Sequence, residues 1–390
     1  MYPDLSYFLH DLLPNLFDRD GGFSIVKTFG LLLALAFLAS AYVLTLEFKR
    51  KEAEGVLLPR KTRIVIGEAA TPTDLLMNGL VGFFIGFKLL FAAQNFAAFK
   101  ADAASIIASA QGNWLGGVLG MLFFIGYRYY ESQRGKLDKP EECIVNVYPN
   151  ERIGDITIVA AVFGLLGAKL FSVLENWNDF IVDPIGQLFS GSGLTMYGGL
   201  ILAFFACYYY VKKLGIPPIQ MMDAVGPALV VGYGVGRLGC QFSGDGDWGI
   251  VNEMPKPTWM SFLPDWLWVQ HYPHNVLKDG FPMEGCKDLY CRELIPGVFP
   301  TPMYETMMCI VVFAILWALR KRIKVAGVLF FIYLILNGLE RFIIETIRVN
   351  PRYDVLGFML SQAQIIALGL VAIGLIGAGF LMVRAKNTNA

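Results

Sequence analysis

GYGVGRLGCQFSGDGDWG, residues 232–249, begins inside an apolar run and ends in a loop rich in glycine and aspartate. Arg237 lies near the end of the apolar run, and an ionisable residue at membrane depth marks a functional site by default. Asp245 and Asp247 follow among glycines, which allow the backbone to approach a ligand closely. The stretch therefore indicates a membrane helix that ends in a charged, flexible loop.

The composition of the whole chain is that of a membrane protein. Of its 390 residues, 55% are hydrophobic and only 16% are charged, and the mean hydropathy is +0.52. An average soluble domain has about 25% charged residues. The formal net charge is +0, so nothing suggests nucleic acid as a partner. Residues 1–23 are acidic and lack the basic start of a cleavable signal peptide.

Runs of roughly 20 apolar residues, the length needed to cross a bilayer, recur along the chain. We predict an all-α polytopic membrane protein with about nine transmembrane helices, at residues 24–46, 75–97, 114–130, 156–175, 197–211, 221–240, 303–319, 325–345 and 363–383. Lysine and arginine cluster after the first, third, fifth, seventh and ninth runs. By the positive-inside rule, the N-terminus is then outside and the C-terminus is cytoplasmic.

The segments between the runs complete the predicted organisation. We divide the chain into an extracytoplasmic N-terminal segment (1–23), a first span (24–46), basic cytoplasmic loops with an inserted two-span hairpin (47–155), core spans (156–240), an extracytoplasmic head (241–302) and C-terminal core spans (303–390). Within the inserted part, IVNVY (144–148) alternates as a strand does. Gly82 and Gly86 have the spacing that lets two membrane helices approach closely.

The eighth run has the clearest polar pattern, in LILNGLERFIIETIRVNPRY (334–353). Asn337, Arg341 and Glu345 are spaced four apart and Arg348 follows three later, so a helix places them on one face. Such a stripe must face protein or water rather than lipid. A purely structural ion pair between Arg341 and Glu345 is the simpler interpretation, although burying an ion pair rarely gains stability.

Arg237 and Arg341 are predicted at the same depth in two different helices. Alone, Arg237 could be an arginine that extends its head group to the membrane surface. Together, two guanidinium groups could bind a phosphate, whose oxygens they match in bidentate geometry. A lipid head group is the natural phosphate at that depth.

Two weaker elements accompany the arginines. Tyr197, Gly198 and Gly199 open the fifth run, where paired glycines indicate either tight helix packing or a polar tip placed against a ligand. Tyr304 could be an interfacial aromatic residue, whereas Glu305 lies at a helix start, where the helix dipole favours an anion.

Cys286 and Cys291 share the short polar segment GCKDLYC. If that segment is exported, a disulfide is plausible. A zinc site is less favoured, because a closed site needs four ligands, although His271 and His274 lie nearby.

These elements, in this order, resemble the prolipoprotein diacylglyceryl transferase family. The motifs that carry the resemblance are YGGL (197–200), GRLGCQFSGDGDWG (236–249), PTPMYE (300–305) and ERFIIETIR (340–348), and FGLLGAKLF (163–171) is similar to another family span. The resemblance implies a transferase of the bacterial inner membrane. Its substrates would be phosphatidylglycerol and the lipobox cysteine of preprolipoproteins, within the lipids of the membrane and without cofactor or metal.

The resemblance also implies roles for single residues. Arg237 and Arg341 would bind the phosphate, and Glu345 would orient them. Asp245 stands where the family has a glutamate. The expected substrate-binding residues that match the family motifs are Gly198, Gly199, Gly244, Gly249, Tyr304, Glu305 and Arg348, and Asn337 is counted with them although it departs from the motif.

Three positions depart from the family pattern. Tyr197 replaces a histidine, Cys240 an asparagine and Asn337 a tyrosine. A phenol with a pKa near 10 is a poor base at neutral pH, yet the acceptor thiol must be deprotonated to attack. Asp245, Glu345, His271 and His274 are the alternative bases. The competing interpretation of the whole chain is a membrane protein that binds or transports a lipid or anion without covalent chemistry.

Overall fold

The computed structural model describes the chain except for residues 20, 67, 102–105, 108, 138–140, 190–194, 356 and 389–390. The described residues form two compact units. The first comprises Met1–Ala53 and Ile216–Ala390, and the second comprises Glu54–Gly215.

Long helices dominate both units. The helices are α1 (Leu5–Leu12), α2 (Thr28–Ala53), α3 (Pro72–Gln94), α4 (Phe96–Ala101), α5 (Trp114–Gly135), α6 (Ile153–Glu175), α7 (Trp177–Val182), α8 (Pro184–Phe189), α9 (Met196–Lys213), α10 (Pro218–Ser243), α11 (Thr301–Leu319), α12 (Val328–Ile344) and α13 (Gln362–Thr388). The strands are β1 (Arg60–Ile66), β2 (Glu141–Val147), β3 (Phe281–Pro282), β4 (Arg292–Glu293), β5 (Arg352–Val355) and β6 (Phe358–Ser361).

Each of the nine predicted apolar runs coincides with one of the long helices. Among the described residues, five helical segments are long and apolar enough to cross a membrane, namely Thr28–Ala53, Pro72–Gln94, Pro149–Glu175, Thr301–Leu319 and Gln362–Asn387. The class of helical membrane protein is therefore confirmed, and the count of nine spans stays a prediction. The all-α description omitted the three two-stranded sheets that the described residues form, β1–β2, β3–β4 and β5–β6.

Helix α10 is the centre of the first unit and packs against α2, α11 and α12. It runs antiparallel to α2, because Gly232 lies against Ser40 while Gly239 lies against Phe29. The buried core between α10, α11 and α12 consists of Val230, Cys309, Val312, Leu316 and Leu329. This packing brings the end of α10 beside the start of α11.

The start of α12 is fixed by a carboxylate from α10. Asp223 accepts the N–H groups of Gly327 at 2.7 Å and of Phe330 at 3.0 Å. These donors have no partner inside their own helix, so the carboxylate satisfies them as a cap does. The contact sets the direction in which α12 returns to the far end of α10.

The second unit contains two closely packed helix pairs, α3 with α5 and α6 with α9. A Cβ added at Gly86 would lie 2.1 Å from the Gly116 carbonyl, and one added at Gly82 would lie 2.4 Å from the Gly120 carbonyl. The predicted close approach at Gly82 and Gly86 is thereby confirmed. The strand-like segment 144–148 falls largely in β2, which pairs antiparallel with β1.

Residues 241–302 form the segment predicted as a head. Cys286 and Cys291 form a disulfide, so the plausible pairing is confirmed and their sulfurs are not zinc ligands. The N-terminal segment packs on this region, where Arg19 pairs with Asp288 at 3.0 Å. The Tyr7 ring lies 5.4 Å from the ring of His274.

Candidate active site

The candidate site lies where α10 ends, α11 begins and α12 ends. Gly244 terminates α10 in the left-handed conformation, with φ of 64°, which glycine adopts without steric cost. Pro302 lies in the first turn of α11, where proline needs no hydrogen-bond partner. The chain after α12 continues as a 3-10 turn, Glu345–Ile347. Three helix ends therefore meet.

Glu305, in the first turns of α11, is the centre of the site, and its side chain is completely buried. Its Oε1 accepts hydrogen bonds from the Tyr233 hydroxyl at 3.0 Å and from the guanidinium groups of Arg341 and Arg348, each at 3.3 Å. Its Oε2 forms an ion pair with Nε of Arg237 at 2.8 Å. A buried carboxylate requires such pairing. One glutamate thus pairs with three arginines, which lie at the ends of two different helices.

Asp247, in the loop after α10, bridges two of the same arginines. One carboxylate oxygen contacts Arg237, and the other accepts a hydrogen bond from Arg348 at 2.5 Å. The Thr301 hydroxyl donates to the Asp247 carbonyl at 2.6 Å, and the Cys240 thiol lies 3.4 Å from the carboxylate. Burial opposes ionisation, but Arg237 and Arg348 outweigh it and lower the pKa of Asp247 to about 2.

Glu345 completes the set of carboxylates. Its Oε2 pairs with Arg341 at 3.1 Å, and its Oε1 accepts a hydrogen bond from Asn350 at 2.5 Å. We call these residues the Glu305 cluster: Glu305, Asp247, Glu345, Arg237, Arg341 and Arg348. Three carboxylates balance three guanidinium groups, so the cluster is neutral as it stands.

Gly249 holds the Asp247 loop against the segment that carries Arg348. The backbones of Gly249 and Arg348 form an isolated β-bridge, and Ile250 N–H donates to the Ile347 carbonyl at 2.8 Å. A Cβ at Gly249 would lie 2.6 Å from that carbonyl oxygen. The signature glycine is therefore required by backbone contact.

The structure brings together most of the predicted site residues of the first unit, with two differences. Asp247 rather than Asp245 contacts the arginines, and the Asp245 carboxylate instead accepts the Asp247 N–H at 3.4 Å. Burial raises the pKa of Asp245. The Tyr304 hydroxyl points away from the cluster and donates to the Leu267 carbonyl at 2.6 Å. Asn337 is half-buried one turn before Arg341.

Tyr197, Gly198 and Gly199 belong to the second unit, at the start of α9. A Cβ at Gly198 would lie 2.5 Å from the Gly167 carbonyl, and one at Gly199 would lie 2.8 Å from the Gly164 carbonyl. These two glycines therefore allow α6 and α9 to pack closely, as the simpler interpretation expected. The Tyr197 side chain is exposed.

The two histidines considered as bases lie in the 241–302 segment with their Nδ1 atoms occupied. His271 Nδ1 lies 2.8 Å from the Leu294 carbonyl, and His274 Nδ1 lies 2.5 Å from the Tyr290 carbonyl. Burial lowers the pKa of His274. Both rings therefore have structural hydrogen bonds within this segment.

Sequence reasoning missed three residues at or beside the cluster. Asp247 was not assigned a role, although it stood in the quoted stretch. Tyr233 lies four residues before Arg237 and therefore on the same helix face, which was the available signal. Glu340 is buried, and neither of its carboxylate oxygens has a hydrogen-bond partner among the described residues; its position next to Arg341 gave no hint of this.

The fold and the site together define a class: a helical membrane protein with a buried arginine–carboxylate cluster where three helix ends meet. Comparison with known proteins identifies the family. The profile of the prolipoprotein diacylglyceryl transferases matches residues 118–380, and the chain belongs to that family. The match begins inside α5, so α2 and α3 lie before it.

Relatives with this activity in their names come from several bacteria. A phosphatidylglycerol–prolipoprotein diacylglyceryl transferase of Clostridium novyi is 29% identical over 227 residues, which cover 58% of this chain and 78% of the relative. The enzyme of the same name from Staphylococcus saprophyticus is 26% identical over 267 residues, which cover 67% of this chain and 83% of the relative.

Proposed function

We propose that this protein transfers the diacylglyceryl group of phosphatidylglycerol to the lipobox cysteine thiol of preprolipoproteins, and that the Glu305 cluster binds the phosphate. The assignment of the reaction rests on membership of the family. The observation that carries the site is the convergence of Arg237, Arg341 and Arg348 on one buried carboxylate. Three preorganised guanidinium groups suit an anion that gains charge during the reaction.

The reaction explains why positive charge is needed. The thiolate sulfur attacks the glycerol carbon that carries the phosphate, a C–S bond forms and the C–O bond to the phosphate breaks. Glycerol-1-phosphate leaves with one more negative charge than the phosphodiester had. Guanidinium groups stabilise this developing charge more strongly in a largely buried site than in water.

The exposures of the arginines suggest how the phosphate enters. The side chain of Arg341 is 23% exposed, whereas those of Arg237 and Arg348 are 10% and 11% exposed. We place Arg341 at the entrance and the other two deeper. The cluster would lie near the outer face of the bacterial inner membrane, with the N-terminus outside and the C-terminus in the cytoplasm.

Several assignments of the sequence analysis remain part of this proposal. Glu345 orients Arg341, and Gly244 and Gly249 shape the loop. Tyr197 would orient the acceptor. The preprolipoprotein peptide and phosphatidylglycerol are the two substrates, and no cofactor is needed.

The test is a transfer assay with the purified full-length protein, phosphatidylglycerol and a lipobox peptide. Mass spectrometry follows the thioether-linked diacylglyceryl peptide. We expect product with the wild type, and at least a hundredfold less with Arg237→Ala and with Arg341→Ala, the range found when a donor to a developing oxyanion is removed. Arg352→Ala, which removes an arginine from β5, is the matched control and should form product at the wild-type rate.

Normal lipidation by both variants, Arg237→Ala and Arg341→Ala, would contradict the assignment of the site. A wild-type protein that binds phosphatidylglycerol but forms no product would instead support lipid binding without covalent chemistry.

A further inference from the structure

Asp247 differs from the other two carboxylates of the Glu305 cluster in its access to solvent. Its side chain is 32% exposed, whereas those of Glu305 and Glu345 are completely buried. It also sits on a loop next to Gly246, whose φ is 96°. Among the carboxylates of the cluster, Asp247 is thus the one that an incoming substrate can reach.

The surroundings of Asp247 already contain a thiol. The Cys240 Sγ lies 3.4 Å from Asp247 Oδ2, the same oxygen that contacts Arg237. The Arg237 guanidinium also lies 3.7 Å from this sulfur, so a thiol, a carboxylate and a guanidinium group are in mutual contact at the end of α10. This is the arrangement that proton transfer from a thiol to a carboxylate requires, with the arginine ready for another anion.

We infer that Asp247 is the general base of the transferase: it holds Arg237 and Arg348 in the resting protein, yields them to the lipid phosphate, and accepts the proton of the substrate thiol. The inference rests on the proposed function. It fills the role for which the family histidine is missing, since Tyr197 stands at that position.

The charges balance through the whole step. The thiol proton moves to the Asp247 carboxylate, which becomes neutral. The sulfur forms its bond to the glycerol carbon, and the electron pair of the broken C–O bond goes to the phosphate, which becomes a dianion. Asp247 loses one negative charge while the leaving group gains one, so Arg237 and Arg348 exchange one counter-ion for another without net change.

The basicity of Asp247 depends on the same exchange. In the resting protein Arg237 and Arg348 lower its pKa to about 2, which makes it a weak base. When the phosphate takes over these arginines, the burial that raises the pKa of Asp247 remains. The carboxylate therefore becomes basic only after the lipid has bound. The other titratable group facing it is the Cys240 thiol.

The other candidates are less suited to the role. Glu305 and Glu345 are fully buried and pair with Arg341. His271 and His274 have their Nδ1 atoms at backbone carbonyls of the 241–302 segment. Asp245 accepts the Asp247 N–H at 3.4 Å and also contacts the Cys240 thiol, but among the described residues it forms no ion pair with an arginine.

The experiment is single-turnover transfer by full-length Asp247→Asn in phosphatidylglycerol vesicles, with KM for the lipid and a pH profile. Asparagine keeps the shape but cannot accept a proton, so the turnover rate should fall at least a hundredfold. The KM should stay equal or fall, because the arginines have lost a competing carboxylate. The remaining rate should rise about tenfold per pH unit up to the thiol pKa near 8.5, as solvent supplies the thiolate. The rate with Asp247→Glu should lie between the two.

Asp265→Asn removes an exposed aspartate of the 241–302 segment, which pairs with Lys256, and is the matched control with wild-type behaviour. Asp247→Asn that retains turnover within threefold of the wild type would overturn the inference. A lower turnover with the wild-type pH profile would also overturn it, because that result indicates a structural role. An inactive wild type would instead contradict the proposed function itself.

Discussion

Helix α11 carries a buried ion-pair cluster at each of its ends, and the two clusters are built from the same kinds of residue. At its start is the Glu305 cluster. Just past its end, Arg320 pairs with Glu47 of α2 at 2.6 Å, and Arg50 joins the same carboxylate. We call Glu47, Arg50 and Arg320 the Glu47 cluster. Fifteen residues separate Glu305 from Arg320, about 22 Å along a helix.

The two clusters differ in their exposure to solvent. The side chain of Glu47 is completely buried, those of Arg50 and Arg320 are 16% and 11% exposed, and Arg320 also packs on the Trp317 ring. The Glu305 cluster has a similar closed centre, but it adds a partly exposed carboxylate, Asp247, on a glycine loop. A buried ion pair by itself therefore indicates structure, whereas a member that can exchange its partner indicates function.

The strongest test of this comparison replaces each central glutamate by glutamine. Either change leaves buried arginines without their counter-ion, which costs about 3–5 kcal/mol of stability when a buried pair is broken. We expect Glu305→Gln to lower the transfer rate of the folded protein at least a hundredfold, because the arginines are no longer held together. Glu47→Gln should keep a rate within about twofold of the wild type, since its cluster meets no substrate.

The two rates are measured per mole of monodisperse protein, beside the thermal unfolding midpoint of each variant in detergent. Equal losses of transfer in the two variants would show that the clusters do not differ in function.

The sequence predicts a contact of these clusters when the two residues lie close together in the chain. Arg341 and Glu345 are four apart on one helix, so their pairing was visible from the sequence, and it is present at 3.1 Å. The convergence of Arg237 on Glu305 joins two helices and was not predicted, because the sequence placed only Arg237 and Arg341 at the same depth in the membrane. Glu47 was read as part of a basic loop, because its partner Arg320 is distant in the chain.

The Asp247 contacts show a second limit of sequence reasoning. The loop holds two aspartates separated by one glycine, and either could match the family glutamate. The choice depends on the backbone: Gly244 and Gly246 have positive φ, and Gly249 pairs with Arg348. The backbone conformation of this loop is determined by tertiary contacts rather than by local propensity. The positions of the long helices, in contrast, could be predicted from the length of the apolar runs and the charges that flank them.

Acid is expected to have an intermediate effect on the stability that the Glu305 cluster contributes. The pKa of Asp247 is about 2 in the folded protein, against about 3.9 in an unfolded chain. A carboxyl with a lowered pKa stabilises the fold at all pH values above the unfolded value, and this contribution disappears as the pH falls through the folded pKa. Between pH 5 and 2 the wild type should lose about 2 kcal/mol more than Asp247→Asn.

This difference can be measured as the free energy of unfolding in detergent micelles for the two proteins in parallel. If both lost the same stability over that range, Asp247 would not be the carboxylate held by Arg237 and Arg348.

The smallest expected effect comes from two glycines with positive φ. Gly246, next to Asp247, has φ of 96°, and Gly55, shortly after the end of α2, has φ of 71°. Alanine in the left-handed region costs roughly 1–2 kcal/mol at either position. A Cβ at Gly246 would also lie 2.6 Å from Leu277 Cδ1, whereas nothing lies within 4 Å of one at Gly55. Gly246→Ala should therefore lose at least as much stability as Gly55→Ala, and only Gly246→Ala displaces the loop that carries Asp247.

We expect Gly246→Ala to lower transfer roughly threefold to tenfold, because a small misplacement of a reacting group is costly, and Gly55→Ala to leave it unchanged. The unfolding midpoint and the transfer rate of each variant give the two quantities separately. A wild-type rate for Gly246→Ala would mean that the position of the loop does not limit the reaction. The exposed carboxylate would then act from a backbone that tolerates displacement, and the distinction between the two clusters would rest on charge alone.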